Sequence, residues 1–246
     1  MQGLIVHRAA ASGRTVGLAR TTRALGDLRI DGEPVALAER RRVIARALLG
    51  ADPTADGRPV DEHRWAWLRQ VHGPSVAVVR PGEALPAGIE ADALVTDRPG
   101  VLLAVHTADC APVSFVDAAA GVVGVAHAGW RGVAAGVLDR TLDAMADLGA
   151  EAPTAVLGPC IHAPCYAFGE QDLDEVAAVL GDEVRGTTAS GAPALDLPAA
   201  VRTALARRQV PLRTEPDCTA CGAATWYSHR ARAEVGRMAH LTWIEP

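Results

Sequence analysis

The chain has 246 residues, 49% of them hydrophobic, and a formal net charge of −5. That is enough apolar matter for one full core, and an acidic balance without a long basic run argues against a nucleic-acid surface. No apolar run approaches the roughly 18 residues a membrane helix needs and no charged-then-apolar leader opens the chain, so a soluble cytoplasmic protein is expected, with a monomer as the default.

Leu4–His7 and Thr15–Leu18 are short β-like pieces. From Pro34 to Leu49, Val35, Leu37, Ala38, Val43, Ile44, Ala47 and Leu48 recur at helical spacing, and Gly50 ends the pattern. Arg40-Arg41-Arg42, inside that helix, reads as a solvated face. Residues 51–61 are a loop by composition. Trp65–Gln70 and Ser75–Val79 read as strands around a His72-Gly73-Pro74 turn. Four apolar runs follow, Ala93–Thr96, Val101–His106, Val113–Val116 and Val122–His127, bounded by Gly, Pro or Asp. Ala128–Gly132 reads as a turn, and Val133–Leu148 as an amphipathic helix closed by Gly149. Ala155–Leu157 is strand-like, Gln171–Leu180 and Leu197–Gln209 are helical, and His240–Ile244 is a last strand. Four consecutive strands break any clean βαβ alternation. The expected fold class is therefore α+β, a single domain over residues 1–246 with mixed β-sheets flanked by helices.

Three glycine-studded phrases carry the candidate chemistry: RQVHG with His72, HTADC with Cys110, and AHAGWRG with His127. One thiolate and two imidazoles suit a borderline-soft ion such as zinc or copper, and three protein ligands leave one tetrahedral position open, as catalytic sites require. Asp109 beside Cys110 at a strand end is a candidate for orienting an imidazole or moving a proton. Gly129 and Arg131, in a turn that leads into a helix, suggest an anion site built from backbone N–H groups and a guanidinium. Gln70 offers an amide to a base or ribose, with Arg69 beside it. Each phrase alone also has a plain structural explanation; the grouping favours function.

Five cysteines without a secretion signal argue against a disulfide framework. Cys160, His162 and Cys165 lie in one loop and Cys218-x-x-Cys221 in another. Together they offer donors for a second, structural metal site, although buried or partly exposed thiols are the simpler account. His7, His63 and His240 read as surface or core histidines.

In chain order, RQVHG (69–73), DALVTDRPGVLLAVHTADCAPV (92–113), GVVGVAHAGWRGVAAGVL (121–138), LGPCIHAPCYAFG (157–169), CT (218–219), YSHR (227–230) and GRMAHLTW (236–243) resemble the multicopper polyphenol oxidoreductase, or laccase-domain, family, also described as a purine nucleoside phosphorylase and peptidoglycan-editing family. The resemblance implies a fold like that of the cytotoxic-necrotising-factor cysteine hydrolases. It implies a metal, zinc or copper, held by His72, Cys110 and His127. It also implies phosphorolysis of adenosine, inosine and methylthioadenosine, with adenosine deamination at the same site. Departures fall at TTRALGDLRI (21–30), where the family's Ser-Leu-Asn stretch is absent, at Glu39-Arg40-Arg41, at His162 and at Ala167. They bear on the substrate more than on the metal trio.

The catalytic set expected is Cys110, His127, His72 and Asp109, with Arg131, Gly129, Gln70, Arg69 and Arg230 binding a purine nucleoside and phosphate. A second possibility is an amidohydrolase acting on peptidoglycan precursors, with Cys110 as nucleophile and His127 as base. A multicopper phenol oxidase ranks lower, because eight histidines without a His-x-His pair are few ligands for several coppers. A binding protein that merely retains the site is the remaining alternative.

Overall fold

The computed structural model describes residues 1–50 and 64–246. The expected 51–61 loop and His63 lie outside the described residues.

The chain begins with an antiparallel hairpin of β1 (Leu4–Ala11) and β2 (Arg14–Thr21), longer than the two short pieces expected. Helix α1 (Pro34–Leu49) follows with the bounds the periodicity predicts. The Glu33 carboxylate caps its first turn by accepting from the Val35 and Ala36 N–H groups, Pro34 sits where no N–H is needed, and the chain leaves the helix at Gly50. Next come β3 (Trp65–Arg69), β4 (Val76–Val79), β5 (Ala87–Glu90), β6 (Ala93–Thr96), β7 (Leu102–Thr107), β8 (Ala111–Asp117) and β9 (Val122–Ala128). The helix expected over Val133–Leu148 is two helices, α2 (Trp130–Ala134) and α3 (Val137–Asp147). Gly136 separates them in a left-handed conformation, φ 86°, which an L-side chain rarely adopts. The rest is β10 (Thr154–Leu157), α4 (Glu170–Leu180), the small ribbon β11 (Arg185–Thr187) and β12 (Pro193–Leu195), α5 (Leu197–Arg207), β13 (Leu212–Thr214), α6 (His229–Arg232) and β14 (Met238–Ile244).

Among the described residues, two six-stranded sheets form, in the orders β1-β2-β14-β7-β3-β5 and β13-β10-β8-β9-β6-β4. Both mix parallel and antiparallel pairs. Val16, Leu68, Val79, Leu94, Leu103, Val105, Val123 and Val125, drawn from both sheets, make one core between them. On the outer face of the first sheet, Leu102, Ala104, Leu241 and Trp243 pack with Leu37, Ile44 and Leu48 of α1. On the outer face of the second, Val113, Phe115, Val122 and Ala126 pack with residues of α2 to α5 such as Val133, Leu142, Met145, Val176 and Val201. The fold is thus α+β with mixed sheets flanked by helices. Each central strand is covered on both faces, which is why β7 and β9 are buried along their whole length and read as apolar up to His106 and His127.

One expectation is corrected. Arg41 is buried rather than solvated: its guanidinium lies 5.6 Å from the Trp65 ring centroid and 4.7 Å from that of Trp67. Delocalised charge over aromatic faces makes that burial tolerable. Among the described residues, no helix is long and apolar enough to cross a membrane.

Candidate active site

Three chain reversals at neighbouring strand ends bring the expected ligands together. His72 lies in the turn that follows β3, His127 near the end of β9, and Cys110 immediately before β8. All three donor atoms lie within 4.8 Å of one another. His72 is exposed, Cys110 half-buried and His127 buried, so the trio runs from solvent into the protein. The Cys110 Sγ is 3.7 Å from the His72 Nε2. A tetrahedral zinc with ordinary Zn–N and Zn–S lengths would place such atoms about 3.6 Å apart.

Asp92, fully buried just before β6, holds the arrangement. Its carboxylate accepts from the backbone N–H groups of Val71 at 3.2 Å, His72 at 2.9 Å and Gly73 at 2.8 Å. The same group lies 2.8 Å from the His127 Nδ1, which leaves Nε2 for a metal. His72 itself has φ 60°, a conformation uncommon outside glycine, and the grip of Asp92 on three successive N–H groups sustains it. Burial works against charge on Asp92, but the His127 ring and the Gly73 N–H outweigh it and hold the carboxyl below its usual range.

Gly129 shows that the space is shaped for these ligands. A Cβ there would stand 2.7 Å from the His72 Cδ2 and 3.4 Å from the Cys110 Sγ. Its φ of −67° is open to any residue, so the requirement is for room. The donor set and this cradle both fit a thiophilic, imidazole-accepting ion.

Electrostatics agree. Burial raises the Cys110 thiol, but His127 and His72 outweigh it and bring it down to about 6. Burial likewise disfavours the His127 cation, yet Cys110 and Asp92 push it up to about 9. Without metal, both shifts favour a thiolate beside an imidazolium.

A cavity of about 510 Å³ opens over the trio, within the range of small-ligand sites. Its walls include Arg29, Ile30, Arg69, Gln70, His106, Thr107, His229 and Arg237. His106 is buried, and desolvation, with Arg41 next, brings it down to about 3, so the ring is neutral.

Residues 26–245 match the family described as multi-copper polyphenol oxidoreductase laccase. The chain belongs to this laccase family. A Streptomyces griseus member named purine nucleoside phosphorylase is 39% identical over 231 residues, 89% of this chain and 88% of that protein. A Mycobacterium tuberculosis protein of the same name is 38% identical over 225 residues, 90% of this chain and 84% of its own. The solved structure of YlmD from Geobacillus stearothermophilus superimposes with a TM-score of 0.78 at 30% identity, covering 96% of this chain and 93% of that one. A Neisseria meningitidis protein gives 0.80 at 31% identity, with 100% of both chains covered.

In this laccase-family chain the other expected site residues divide. Arg69 and Gln70 line the cavity, but both ends of the Gln70 amide bond the backbone of His106, at 2.7 and 2.8 Å, and Arg69 pairs with Glu90. Gln70 therefore splices β3 to β7 rather than offering its amide to a ligand. Asp109 is buried with its carboxylate committed: Thr219 Oγ1, Ser228 Oγ and the Arg230 N–H each donate at 2.7 Å. Arg131 and Arg230 stand outside the cavity lining, against aromatic rings. The Arg131 guanidinium lies 4.2 Å from the Trp130 centroid and that of Arg230 lies 4.6 Å from Tyr166. Phe168 meets both rings edge-on at 5.3 Å, so a continuous aromatic ledge ends in a cation on each side. The anion site expected at the AHAGWRG helix start is weakened as well, because α2 is only five residues long.

Sequence reasoning missed Asp92, Arg29, His229 and Arg237. For Asp92 a signal existed: an acidic residue directly precedes the apolar Ala93-Leu94-Val95 of β6, and once buried it needs a partner. Arg29 and Ile30 fall in the stretch that departs from the family pattern, so the departure lies on the cavity wall.

Proposed function

We propose that this chain is a metal-dependent purine nucleoside phosphorylase, with zinc favoured over copper and adenosine deamination as an accessory reaction at the same centre. The observation that carries the proposal is the His72–Cys110–His127 trio opening onto a cavity walled by Arg29, Arg69, Arg237 and His229. The names of relatives 38 and 39% identical support it.

A zinc ion bound by the trio would supply Lewis acidity at one open coordination position. The chain's own residues do the rest. Of the guanidiniums that line the cavity, Arg29 pairs with Asp27 and Arg69 with Glu90, and Asp31 shares the wall, so phosphate would rest chiefly on Arg237. In phosphorolysis a phosphate oxygen forms the bond to C1′ as the bond from C1′ to the purine nitrogen breaks. The purine carries the bonding pair away and takes up a proton. Asp92 fixes the His127 tautomer and the His72 turn. We assign Asp109 the same kind of task, positioning Cys110 through its three donors, in place of proton transfer.

The phenol-oxidase activity in the family's description finds less support. Among the described residues, one His/Cys/His set and one group of three thiols gather at metal-binding distance, and neither is a histidine-rich copper cluster. A thiol hydrolase has one specific observation in its favour: Cys110, His127 and Asp92 form a nucleophile, base and orienting carboxylate in line.

The deciding experiment is product analysis of metal-quantified protein with adenosine, with and without phosphate. Adenine and ribose 1-phosphate, formed only with phosphate, are the expected products. Inosine formed regardless of phosphate, with no free adenine, reduces the activity to deamination. Neither product from folded, zinc-loaded protein overturns nucleoside chemistry. Turnover of an amide substrate that Cys110→Ser abolishes and zinc inhibits would establish the hydrolase.

A further inference from the structure

We propose that Cys165, Cys218 and Cys221 form a second metal site, a structural one for a thiophilic ion such as zinc(II), that staples together two loops supporting the active site.

The three Sγ atoms lie within 4.8 Å of one another, with Cys165 and Cys221 3.4 Å apart. Tetrahedral zinc with ordinary Zn–S lengths sets thiolate sulfurs roughly 3.8 Å apart, so small rotamer adjustments suffice. All three are free thiols, and 3.4 Å is far from the roughly 2.05 Å of a disulfide. The thiols come from separate parts of the chain. Cys165 ends a short 3-10 turn begun at Ala163, and the other two sit in a tight turn in which the Gly222 N–H donates to the Cys218 carbonyl at 2.9 Å. Cys-x-x-Cys is the usual chelating spacing at the sharp end of a structural zinc site, and a third thiol from a distant turn completes the pattern.

Fold and solvent access agree with a bound ion. Cys165 and Cys218 are half-buried and Cys221 is exposed, so an ion can enter and water or an external donor can complete its shell. The site excludes two residues that sequence spacing had grouped with it. The Cys160 thiol is buried next to the group, near enough to feel Cys218, but it is not among the three sulfurs that converge, and His162 also falls outside them. A divalent ion binds such sulfurs as thiolates, so loading the site releases the thiol protons.

The position gives the ion a task. Thr219, between the two ligands of the tight turn, donates to the Asp109 carboxylate at 2.7 Å, and Asp109 precedes Cys110. Cys165 precedes Tyr166, whose ring carries the Arg230 guanidinium. An ion joining these turns fixes Asp109's partners without touching substrate.

The test uses the full chain in two backgrounds. Wild-type protein equilibrated with buffered zinc and then desalted is expected to hold two equivalents by elemental analysis. A His72→Ala/Cys110→Ser/His127→Ala variant is expected to keep one, and Cys165→Ser/Cys218→Ser/Cys221→Ser also one. In the first variant, zinc should slow alkylation of Cys165, Cys218 and Cys221, mapped by peptide mass. Zinc absent from the first variant, or alkylation there unaffected by zinc, overturns the proposal. If the thiol variant fails to fold, zinc X-ray absorption on wild-type protein decides. A shell averaging sulfur and imidazole ligands over two sites supports the second site, and one sulfur per two imidazoles at a single equivalent refutes it. Because the first variant lacks the catalytic trio, the result is independent of the nucleoside assay.

Discussion

Asp92 and His127 share a buried contact of 2.8 Å between a carboxylate oxygen and Nδ1, and the same carboxylate holds the backbone of the turn that carries His72. One acidic side chain therefore orients two of the three proposed metal ligands from strand ends far apart in sequence. An orienting carboxylate of this kind also raises the basicity of the imidazole it holds.

Replacing Asp92 with Asn should cost roughly 10–100-fold in zinc affinity, because the anionic partner of His127 and part of the grip on His72 are lost together. A competition titration against a chelator reads the change, with circular dichroism to establish that the fold persists. Undiminished affinity in a folded variant would mean that His127 is oriented by something else.

Gly129→Ala isolates geometry from charge. The added methyl would stand 2.7 Å from the His72 Cδ2, while the backbone at φ −67° accepts alanine without strain. Zinc binding and activity should both fall sharply. Melting of the metal-free protein should change little, since loss of glycine at a helix N-cap costs at most about 1 kcal/mol. Retained zinc binding would show that the His72 turn moves aside freely, contrary to the grip of Asp92.

The ionisation of Cys110 gives a pH signature. In metal-free protein its thiol is brought down to about 6 by the neighbouring imidazoles, against the opposing effect of burial. Its alkylation rate should therefore rise with pH through about 6 and level off well below the range of an ordinary thiol. In His127→Gln, where the cation is gone, the rise should move toward the usual value near 8.5. Zinc should suppress the reaction in wild-type protein near neutral pH and above, where protons do not displace it from the imidazoles and thiolate. An inflection that stays put in the variant would assign the shift to His72 alone.

Much of this was legible in sequence, and the gaps have physical causes. The helices over Pro34–Leu49 and Leu197–Arg207 could be read because periodicity and capping agree there. The split between α2 and α3 was hidden because the glycine at 136 interrupts neither the apolar stripe nor its period. β11, β12 and β13, each three residues long, carry too little pattern to announce themselves. The Cys/His trio that the fold brings together stood out because Cys and His are chemically distinctive. Asp92 did not, since an aspartate before a strand is ordinary until the fold reveals what it holds. Gln70 shows the converse: its chemistry suggested ligand binding, and tertiary structure had already engaged both ends of its amide with the β7 backbone.

Acid should destabilise the metal-free protein earlier than its carboxylates require, and His240 offers the cleanest test. The ring is buried among Arg20, Glu215, His7 and the Gly158 backbone, and its Nε2 has no hydrogen-bond partner. Desolvation first, then Arg20 and His106, bring it down to about 3, against 6.5 for a free imidazole. The folded state therefore keeps His240 neutral where the unfolded chain protonates it. Its contribution is complete above pH 6.5 and declines as pH falls toward 3, by up to about 1.4 kcal/mol per pH unit, since the unfolded state binds the extra proton. His106 is shifted the same way and adds to the slope. Urea unfolding of metal-free protein between pH 6.5 and 5, above the main carboxylate range, should show stability falling with acid, and His240→Gln should make that dependence shallower. A slope unchanged in a folded His240→Gln variant would show that His240 is protonated in the native protein, with Glu215 as the acceptor that the unpartnered Nε2 lacks here.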